Sequence, residues 1–167
     1  SEIDSKAEAT YRSNYAIGKD EIVMGDIVNF TRIKKHIKSL PKFDLLTGGF
    51  PCQTFSMMGN QAGFEEDRGQ MFFRIMDILA IKRPKYVLLE NVKNLCNHDK
   101  GRTFTRIKNE LESIGYRVYA DVFNTVDFHL PQTRNRVLIF ATKVKVPKSF
   151  QFSAKLIAEV FDKKYKE

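Results

Sequence analysis

Short apolar runs alternate along this chain with segments that have helical periodicity. The runs predicted as strands lie at residues 21–24, 43–47, 86–89, 117–123 and 137–142. Strands that alternate with helices are typical of βαβ units, so the pattern predicts an α/β fold with helices packed on a sheet. The run at residues 86–89 is apolar on both faces, as expected of a central parallel strand.

Five segments carry the spacing or the end signals of helices. They are predicted at residues 5–15, at 33–40 before Pro41, at 71–81, at 104–114, and after Ser153. Residues 104, 107, 111 and 114 are apolar at the 3, 4, 3 spacing of an amphipathic helix, and Gly115 is its expected C-cap. Ser153 is the expected N-cap of the last helix, whose apolar face combines Leu156, Ile157, Val160 and Phe161.

Residues 48–69 form the longest stretch without periodicity. They contain five glycines and many polar side chains. Loops of this length inside a compact domain are usually functional or mobile. We therefore expect this stretch to serve a site rather than the core.

Composition narrows the class of protein. A chain of 167 residues predicts one domain, and its apolar share of 43% is ordinary for a soluble protein. Its apolar runs are all too short for a membrane helix, the polar start predicts no signal peptide, and two cysteines 44 residues apart match no metal or redox motif. We expect a cytoplasmic protein.

The net charge of +8 is concentrated near the C-terminus. Residues 143–167 contain seven lysines and three acids, which is half of the excess. Such a segment fits either a polyanionic partner or a solvated lysine-rich tail. Charge alone does not decide between these two interpretations.

Three chemically distinctive groups lie at strand ends. Cys52 follows Gly-Gly-Phe-Pro after the run at 43–47, Glu90 ends the run at 86–89, and Arg134 and Arg136 precede the run at 137–142. In an open α/β sheet, ligands bind at the carboxyl ends of the strands. The pattern therefore predicts that a soft nucleophile, a carboxylate and two guanidiniums form one site.

Each of these groups also has a purely structural interpretation. Cys52 is either a thiolate activated by nearby cations or a small buried apolar side chain, which is how we interpret Cys96. Glu90 is either an acid–base group or one half of an ion pair with Arg134 or Arg136. The two arginines, which alternate along an extended segment, suit a phosphate, a carboxylate or a base carbonyl, or form a surface pair.

Together these groups suit covalent addition to a pyrimidine. A thiolate adds to C6, a carboxyl group holds or protonates N3, and an arginine supports O2. C5 then becomes nucleophilic and can accept an electrophilic group. Such covalent catalysis divides one difficult step into easier ones.

The ordered motifs resemble those of the cytosine-C5 DNA methyltransferases. Three motifs of the chain carry the resemblance: the Gly-Phe-Pro-Cys-Gln-Thr-Phe-Ser run at 49–56, Glu-Asn-Val at 90–92 and Gln-Thr-Arg-Asn-Arg at 132–136. The family implies catalytic roles for Cys52, Glu90, Arg134 and Arg136. It also implies double-stranded DNA as partner, with the target cytosine flipped out of the duplex and the glycine-rich loop closing over it. By resemblance, the residues expected near the DNA or the target base are Gln53, Ser56, Asn91 and Gln132.

The resemblance also implies S-adenosylmethionine as methyl donor, S-adenosylhomocysteine as product, and no metal. Glu2 would bind the ribose hydroxyls and Ile3 would pack on the adenine. The Gly-Asp-Ile run at 25–27 would contact the adenine through Asp26 and Ile27. Pro51 and Met71 would touch the donor, although Met71 stands where the family usually has leucine. Glu2 has the alternative interpretation of a frayed terminus, and Asp26 that of a turn aspartate.

The implied fold is a Rossmann-like S-adenosylmethionine-dependent methyltransferase sheet with helices on both faces, incomplete at the first strand. We expect residues 1–145 to be a partial catalytic domain and 146–167 a basic C-terminal segment with one helix. The family's Phe-x-Gly-x-Gly donor loop would precede Ser1, and its target-recognition domain would follow. We therefore expect the 167 residues alone to bind the donor weakly and to methylate DNA poorly.

The biological setting implied is a prokaryotic or phage cytoplasm. The enzyme would be one arm of a restriction–modification system, whose endonuclease acts on the same site without being bound. Two alternatives remain open at the level of sequence. One is a transfer-RNA cytosine-C5 methyltransferase, and the other is a catalytically inactive nucleic-acid-binding fragment of the same fold.

Overall fold

The computed structural model describes residues 1–16, 18, 21–51 and 70–165. Within them the helices are α1 (Ser5–Asn14), α2 (Ile27–Arg32), α3 (Lys34–Ser39), α4 (Gln70–Lys82), α5 (Arg102–Ser113) and α6 (Ala154–Tyr165). The strands are β1 (Leu45–Gly49), β2 (Tyr86–Val92), β3 (Arg117–Asn124) and β4 (Asn135–Thr142). Short 3₁₀ turns lie at Lys93–Cys96, His98–Gly101 and Thr125–Phe128. Most of the predicted loop at 48–69 lies outside the described residues.

The four strands form one mixed sheet in the order β1-β2-β4-β3. β1 and β2 are parallel, whereas β4 is antiparallel to both of its neighbours. The expected α/β architecture is confirmed, but the sheet is parallel only on one side. β3 and β4 are joined by residues 125–134, and a connection this short favours an antiparallel pair because a parallel crossover needs a dozen residues or more.

Helices α4 and α5 cover one face of the sheet. Their apolar stripes pack on the alternate strand residues that point the same way, and the fully buried members include Leu79, Leu89, Leu111, Val137 and Ile139. The predicted 3, 4, 3 spacing in α5 is confirmed, since Ile107 and Leu111 are buried. Gly115 follows the helix with φ +90°, the left-handed conformation expected of a C-terminal cap.

The opposite face of the sheet is covered on the β3–β4 side by aromatic residues and by α6. Phe152 packs on Phe140 and Phe123 with centroid distances of 5.5 Å each. The N–H of Ala154 donates to Asp121 Oδ2 at 2.8 Å, so a β3 carboxylate accepts from the start of α6. The prediction of helices on both faces is confirmed. The division of the chain at residue 145 stays a prediction.

Near the start of the chain one predicted element is wrong, and one helix is found where none is predicted. Residues 21–24 are not a strand, because none of the described strands pairs with them, and Ile22 and Val23 are exposed. The helix predicted at 33–40 is confirmed as α3, Lys34–Ser39. α2, Ile27–Arg32, has no counterpart among the predicted helices, and Ile33 separates it from α3 in an extended conformation with φ −105° and ψ 100°.

The apolar face predicted for the last helix is largely exposed. Val160 is 66% exposed and Leu156 42%, whereas Phe161 is half-buried. Within the described residues, every helix is too short or too polar to cross a membrane.

Candidate active site

The carboxyl edge of the β1–β2 pair places a glycine beside a carboxylate. Gly49, the last residue of β1, pairs with Glu90 of β2. A Cβ added at Gly49 would lie 3.3 Å from Glu90 Oε2, so a side chain at this position would crowd the carboxylate. Cys52 follows three residues after Gly49 and lies, like Gln53 and Ser56, outside the described residues.

Glu90 and Arg136 form a direct ion pair on this edge. Glu90 faces Leu138 across the antiparallel β2–β4 ladder, so Arg136, two residues earlier in β4, lies at the diagonal position on the same face. Arg136 Nε approaches Glu90 Oε1 to 2.6 Å. The Glu90 side chain is 44% exposed and that of Arg136 25%, so the pair is partly open to solvent. The ion pair predicted for Glu90 is present, and since a paired carboxyl group also suits acid–base work, its catalytic role stays a prediction.

The exposure of this pair decides what it can do. A buried ion pair would use all of its hydrogen-bonding capacity internally. A carboxylate has about four acceptor positions and a guanidinium has five N–H donors. Arg136 donates to Glu90 and, through Nη1, to the carbonyl of Asn135 at 2.9 Å, so both groups keep capacity for a further ligand. A protonated carboxyl group beside a guanidinium presents two donors on one surface, which match the edge of cytosine, where the acceptors N3 and O2 are neighbours.

Asn91 fixes the chain just before Cys52. Its side chain is 3% exposed, its Nδ2 donates to the carbonyl of Phe50 at 2.6 Å, and its Oδ1 accepts from the Val92 N–H at 2.8 Å. The contact between Asn91 and DNA stays a prediction, but the amide is buried on the core face of β2. Asn91 therefore holds the Phe50 carbonyl, just after β1, against β2.

The segment with Gln132 and Arg134 is built around Thr125. Thr125 Oγ1 donates to the carbonyl of Gln132, and the Thr125 N–H donates to the carbonyl of Arg134 at 3.2 Å. The Arg134 N–H donates in return to Thr125 Oγ1 and to Asn124 Oδ1, both at 3.1 Å. The backbone of this segment is thus fixed, while the Gln132 and Arg134 side chains are exposed.

Three residues that support the site were missed from the sequence. Gly49 provides clearance for Glu90. Asn124 and Thr125 hold residues 132–136, which we call the arginine segment. The signal for the last two was present, because Asn and Thr at a strand end commonly bond to the backbone of the turn that follows. The signal for Gly49 exists only once the register between β1 and β2 is known.

Cys96 has the structural role predicted for it. It is half-buried and packs against the core cluster. Burial, with a smaller contribution from the Asp121 carboxylate, raises the pKa of its thiol. A raised thiol pKa lowers the thiolate fraction at neutral pH, so Cys96 is a poor nucleophile.

Comparison with known proteins identifies the family. Residues 1–167 match the family described as C-5 cytosine-specific DNA methylase. This chain belongs to that family. Its three sequence motifs and the Glu90–Arg136 pair are therefore parts of a methylase.

Curated relatives of this methylase chain are bacterial Type II methyltransferases. It is 50% identical to the Type II methyltransferase M1.ScrFI of Lactococcus lactis subsp. cremoris over 139 residues, which cover 83% of this chain and 33% of that protein. It is 45% identical to the Type II methyltransferase M.SsoII of Shigella sonnei over 159 residues, 93% of this chain and 40% of that protein. The chain thus spans well under half the length of these relatives.

A solved methyltransferase shares the fold. The S. pombe Dnmt2 methyltransferase matches with a TM-score of 0.69 and 23% identity, over 95% of this chain and 46% of that chain. At this identity the likeness shows the fold alone. It confirms the prediction of an S-adenosylmethionine-dependent methyltransferase sheet.

In this methylase, the segments predicted to bind the donor lie next to each other. Ser1 Oγ donates to the carbonyl of Gly25 at 2.6 Å, which brings residues 1–3 beside residues 25–27. Glu2 is exposed, and its Oε1 accepts from the N–H groups of Ile3 and Asp4 at 2.8 and 2.9 Å. Because a carboxylate offers about four acceptor positions, these bonds leave capacity for a ribose diol. Ile3 is 78% exposed, as an adenine-packing residue would be before the donor binds.

The second donor segment is fixed by a helix cap. Asp26 is the N-cap of α2, and its side chain accepts from the Val28 N–H at 2.8 Å. Ile27 is half-buried and packs against the core cluster. Asp26 is thus a capping aspartate, which is compatible with the additional role predicted for it, since one oxygen accounts for the cap. Gly25 precedes it with φ +60°, a conformation that glycine adopts at little cost.

The remaining two residues predicted to contact the donor are Pro51 and Met71. Pro51 is exposed directly after β1 and Phe50, and Met71 is half-buried in the first turn of α4, packed against the core cluster. An apolar, polarisable thioether suits a site for a sulfur-containing donor no less than leucine would. These residues fit the donor that the family uses, and their contacts with it stay predictions.

Proposed function

We propose that this chain provides catalytic residues of a DNA (cytosine-5-)-methyltransferase, which transfers a methyl group to C5 of a flipped cytosine. The observation that carries the proposal is the ion pair between Glu90 Oε1 and Arg136 Nε at 2.6 Å, adjacent to Gly49. It places a carboxyl group and a guanidinium side by side at the sheet edge. Gly49, which lies beside Glu90, precedes Cys52 by three residues. Family membership supplies the identity of the reaction.

Cys52 begins the reaction as the nucleophile. Its thiolate forms a bond to C6 of the cytosine, and the electrons of the C5–C6 double bond shift so that C5 becomes nucleophilic. A cationic environment stabilises the thiolate, and Arg134 and Arg136 are the cations proposed for it.

Glu90 and Arg136 act on the pyrimidine edge. In its protonated form the Glu90 carboxyl group donates its proton to N3, which draws electrons from the ring and favours attack at C6. Arg136 donates to O2 while remaining bonded to Glu90, so it orients the carboxyl group as well as the base. The partial exposure of both side chains allows a base to reach them.

S-adenosylmethionine, when bound, supplies the electrophilic methyl group for C5. Glu2, Ile3, Asp26, Ile27, Pro51 and Met71 are the residues proposed to hold it. After C5 carries the methyl group, a base takes the C5 proton, the C5–C6 double bond re-forms, and the Cys52–C6 bond breaks with its electrons returning to sulfur. N3 then returns its proton to Glu90. The thiolate is thereby regenerated.

The proposed substrate is double-stranded DNA, with Gln53, Ser56 and Gln132 near the target base or its backbone. Asn91, which is buried, would act there only indirectly, through its bond to the Phe50 carbonyl. The target must leave the duplex, because C6 is unreachable inside the base stack. The naming of the curated relatives as Type II methyltransferases supports a role in a restriction–modification pair, in a bacterial or phage-infected cytoplasm. The partner endonuclease would share the DNA site rather than bind this protein.

Covalent trapping tests this function. DNA with 5-fluorocytosine at the target position blocks loss of the C5 substituent, so the enzyme stays attached after methyl transfer. With the full-length protein and donor, we expect a complex that survives denaturing electrophoresis. Cys52→Ser should abolish it, because a hydroxyl is not ionised at neutral pH.

Cys96→Ser is the matched control, since it makes the same atomic change at the other cysteine. This variant should retain the covalent complex. A complex that persists in Cys52→Ser, or that disappears in Cys96→Ser, would show that the nucleophile has been misassigned. A covalent complex formed with transfer RNA that carries 5-fluorocytosine, and not with the corresponding DNA, would show that the substrate is transfer RNA rather than DNA.

A further inference from the structure

His129 has a backbone conformation that is unfavourable for a residue with a side chain. It ends the 3₁₀ turn Thr125–Phe128 with φ 60° and ψ 20°, in the left-handed region. Its N–H donates to the carbonyl of Val126 at 3.1 Å, which closes the turn. Glycine adopts this conformation most easily, so the histidine persists because other contacts compensate.

Those contacts are made by α6. His129 Nε2 lies 2.9 Å from Asp162 Oδ1, and the imidazole ring packs against Phe161 with centroids 5.8 Å apart. Phe161 also packs edge-on against Phe128 of the same turn, at 5.5 Å. We call these four residues, Phe128, His129, Phe161 and Asp162, the α6 clasp.

Both sides of the clasp are attached to the sheet. α6 begins on β3, where Asp121 Oδ2 accepts from the Ala154 N–H at 2.8 Å. Phe128 also stacks on Phe123 of β3, with centroids 6.1 Å apart. α6 is thus attached to β3 at its start and to the turn Thr125–Phe128 near its end, so it restrains that turn.

The same turn also holds the arginine segment through hydrogen bonds. Thr125, its first residue, accepts from the Leu130 N–H at 3.3 Å through its carbonyl and exchanges two hydrogen bonds with Arg134. Arg134 is followed two residues later by Arg136, which pairs with Glu90. A continuous set of contacts therefore runs from Asp162 through His129 and Thr125 to the guanidinium segment.

We infer that His129 is a positioning residue for the arginine segment, acting through its side-chain contact with α6. This inference rests on the proposed function for its catalytic consequence. The clasp restricts the turn, and the turn restricts where Arg134 and Arg136 can lie relative to Glu90. Loss of the clasp should loosen the transition-state contacts more than the contacts that bind DNA.

Four variants of the full-length protein separate the effect of the His129 backbone conformation from the effect of its side chain. His129→Gly suits the left-handed backbone and removes the clasp, so the protein should fold normally. His129→Asn tolerates the same backbone and restores an N–H donor toward Asp162. Asp162→Asn removes the carboxylate charge, and Glu159→Gln, an exposed carboxylate on the same helix, is its matched control.

Two readouts are needed. Single-turnover methyl transfer at saturating DNA, with DNA affinity measured separately, reports on catalysis. Amide hydrogen exchange at Thr125 and Arg134 reports on the turn without requiring activity. For His129→Gly we expect a rate about fivefold lower, unchanged DNA affinity, and exchange about fivefold faster, because a partly exposed polar contact contributes about 1 kcal/mol. His129→Asn should recover about half of each effect or more.

The outcomes are distinguishable from failure of the proposed function. If His129→Gly matches the unmodified protein in rate and exchange, the inference is wrong although covalent trapping at Cys52 stands. Faster exchange with an unchanged rate, weaker DNA binding with an unchanged rate, or an equal loss in Glu159→Gln would each overturn the positioning role. If Cys52 is not the nucleophile, the exchange measurement still decides whether the clasp restrains Arg134.

Discussion

Glu90 and Arg136 are held by the ladder between β2 and β4, whereas Glu2 and Asp26 are held by hydrogen bonds to their own sequence neighbours. The first pair sits on residues whose register is fixed across the sheet. Among the described residues, the side chains of the second pair accept from N–H groups one or two residues away, and Ser1 Oγ links the two segments through one further bond. The catalytic edge and the donor segments thus belong to one site but depend on different parts of the structure.

This difference concerns preorganisation. A β2–β4 slip of one residue would turn every side chain of the strand to the other face, so the buried core protects the position of Glu90. A local cap such as that of Asp26 contributes about 1 kcal/mol and can adjust without disturbing the core. We therefore expect substitutions at the catalytic edge to affect rate, and substitutions in the donor segments to affect donor affinity alone.

Glu90→Gln is expected to have the largest effect. The amide keeps the shape and can still bond to Arg136, but it cannot protonate N3. Removal of a positioned acid–base group typically lowers a rate by about 10²–10⁴-fold. Single-turnover methyl transfer measures this loss, while thermal unfolding should change little because partly exposed ion pairs contribute at most about 1 kcal/mol.

Asp44→Asn is the control for that prediction. Asp44 pairs with Lys85 at 3.0 Å near the start of β2, at the opposite end of the sheet, and both side chains are more than half exposed. The same loss of charge there should leave the rate unchanged. If both variants lose activity equally, the effect is one of net charge and the distinction between the two parts of the site fails.

The fold was predictable where the signal is local. The apolar run at 86–89 and the spacing of Phe104, Ile107 and Leu111 gave a strand and a helix close to the observed bounds. The pairing partners were not predictable from such patterns. Residues 21–24 have the composition of a strand but no neighbour among the described strands, and the antiparallel insertion of β4 depends on contacts distant in sequence.

The candidate site divides in the same way. Motif order predicted that Glu90 and Arg136 belong together, and the structure joins them directly. Motif order could not reveal that Asn91 is buried and donates to the Phe50 carbonyl, or that His129 contacts α6, because these contacts depend on packing between elements. Cys52 itself lies outside the described residues, so its role rests on the motif and on the family.

Gly49→Ala is a sharper and smaller perturbation of the same edge. The added methyl group would lie 3.3 Å from Glu90 Oε2, so the carboxylate must shift by a few tenths of an ångström. Because a displacement of about 1 Å can cost a factor of about 10² in rate, we expect roughly a tenfold loss. Gly48→Ala is the matched control, since its methyl group meets Ile75 Cδ1 at an ordinary 3.5 Å. Equal rates for the two variants would show that the position of Glu90 is not limiting.

Glu2→Gln is expected to leave the rate unchanged and to act on donor affinity alone. Gln Oε1 can still accept from the Ile3 and Asp4 N–H groups, so the local turn and the thermal unfolding temperature should be preserved. A ribose diol would lose one charged acceptor, and a hydrogen bond to a charged group contributes about 1.5–3 kcal/mol, which corresponds to at least about a tenfold weaker affinity. Isothermal titration with S-adenosylhomocysteine measures this, and the rate at saturating donor should be unchanged. A fall in that rate, or a loss of thermal stability, would mean that the donor segments are coupled to the catalytic edge, contrary to the separation that their different supports predict.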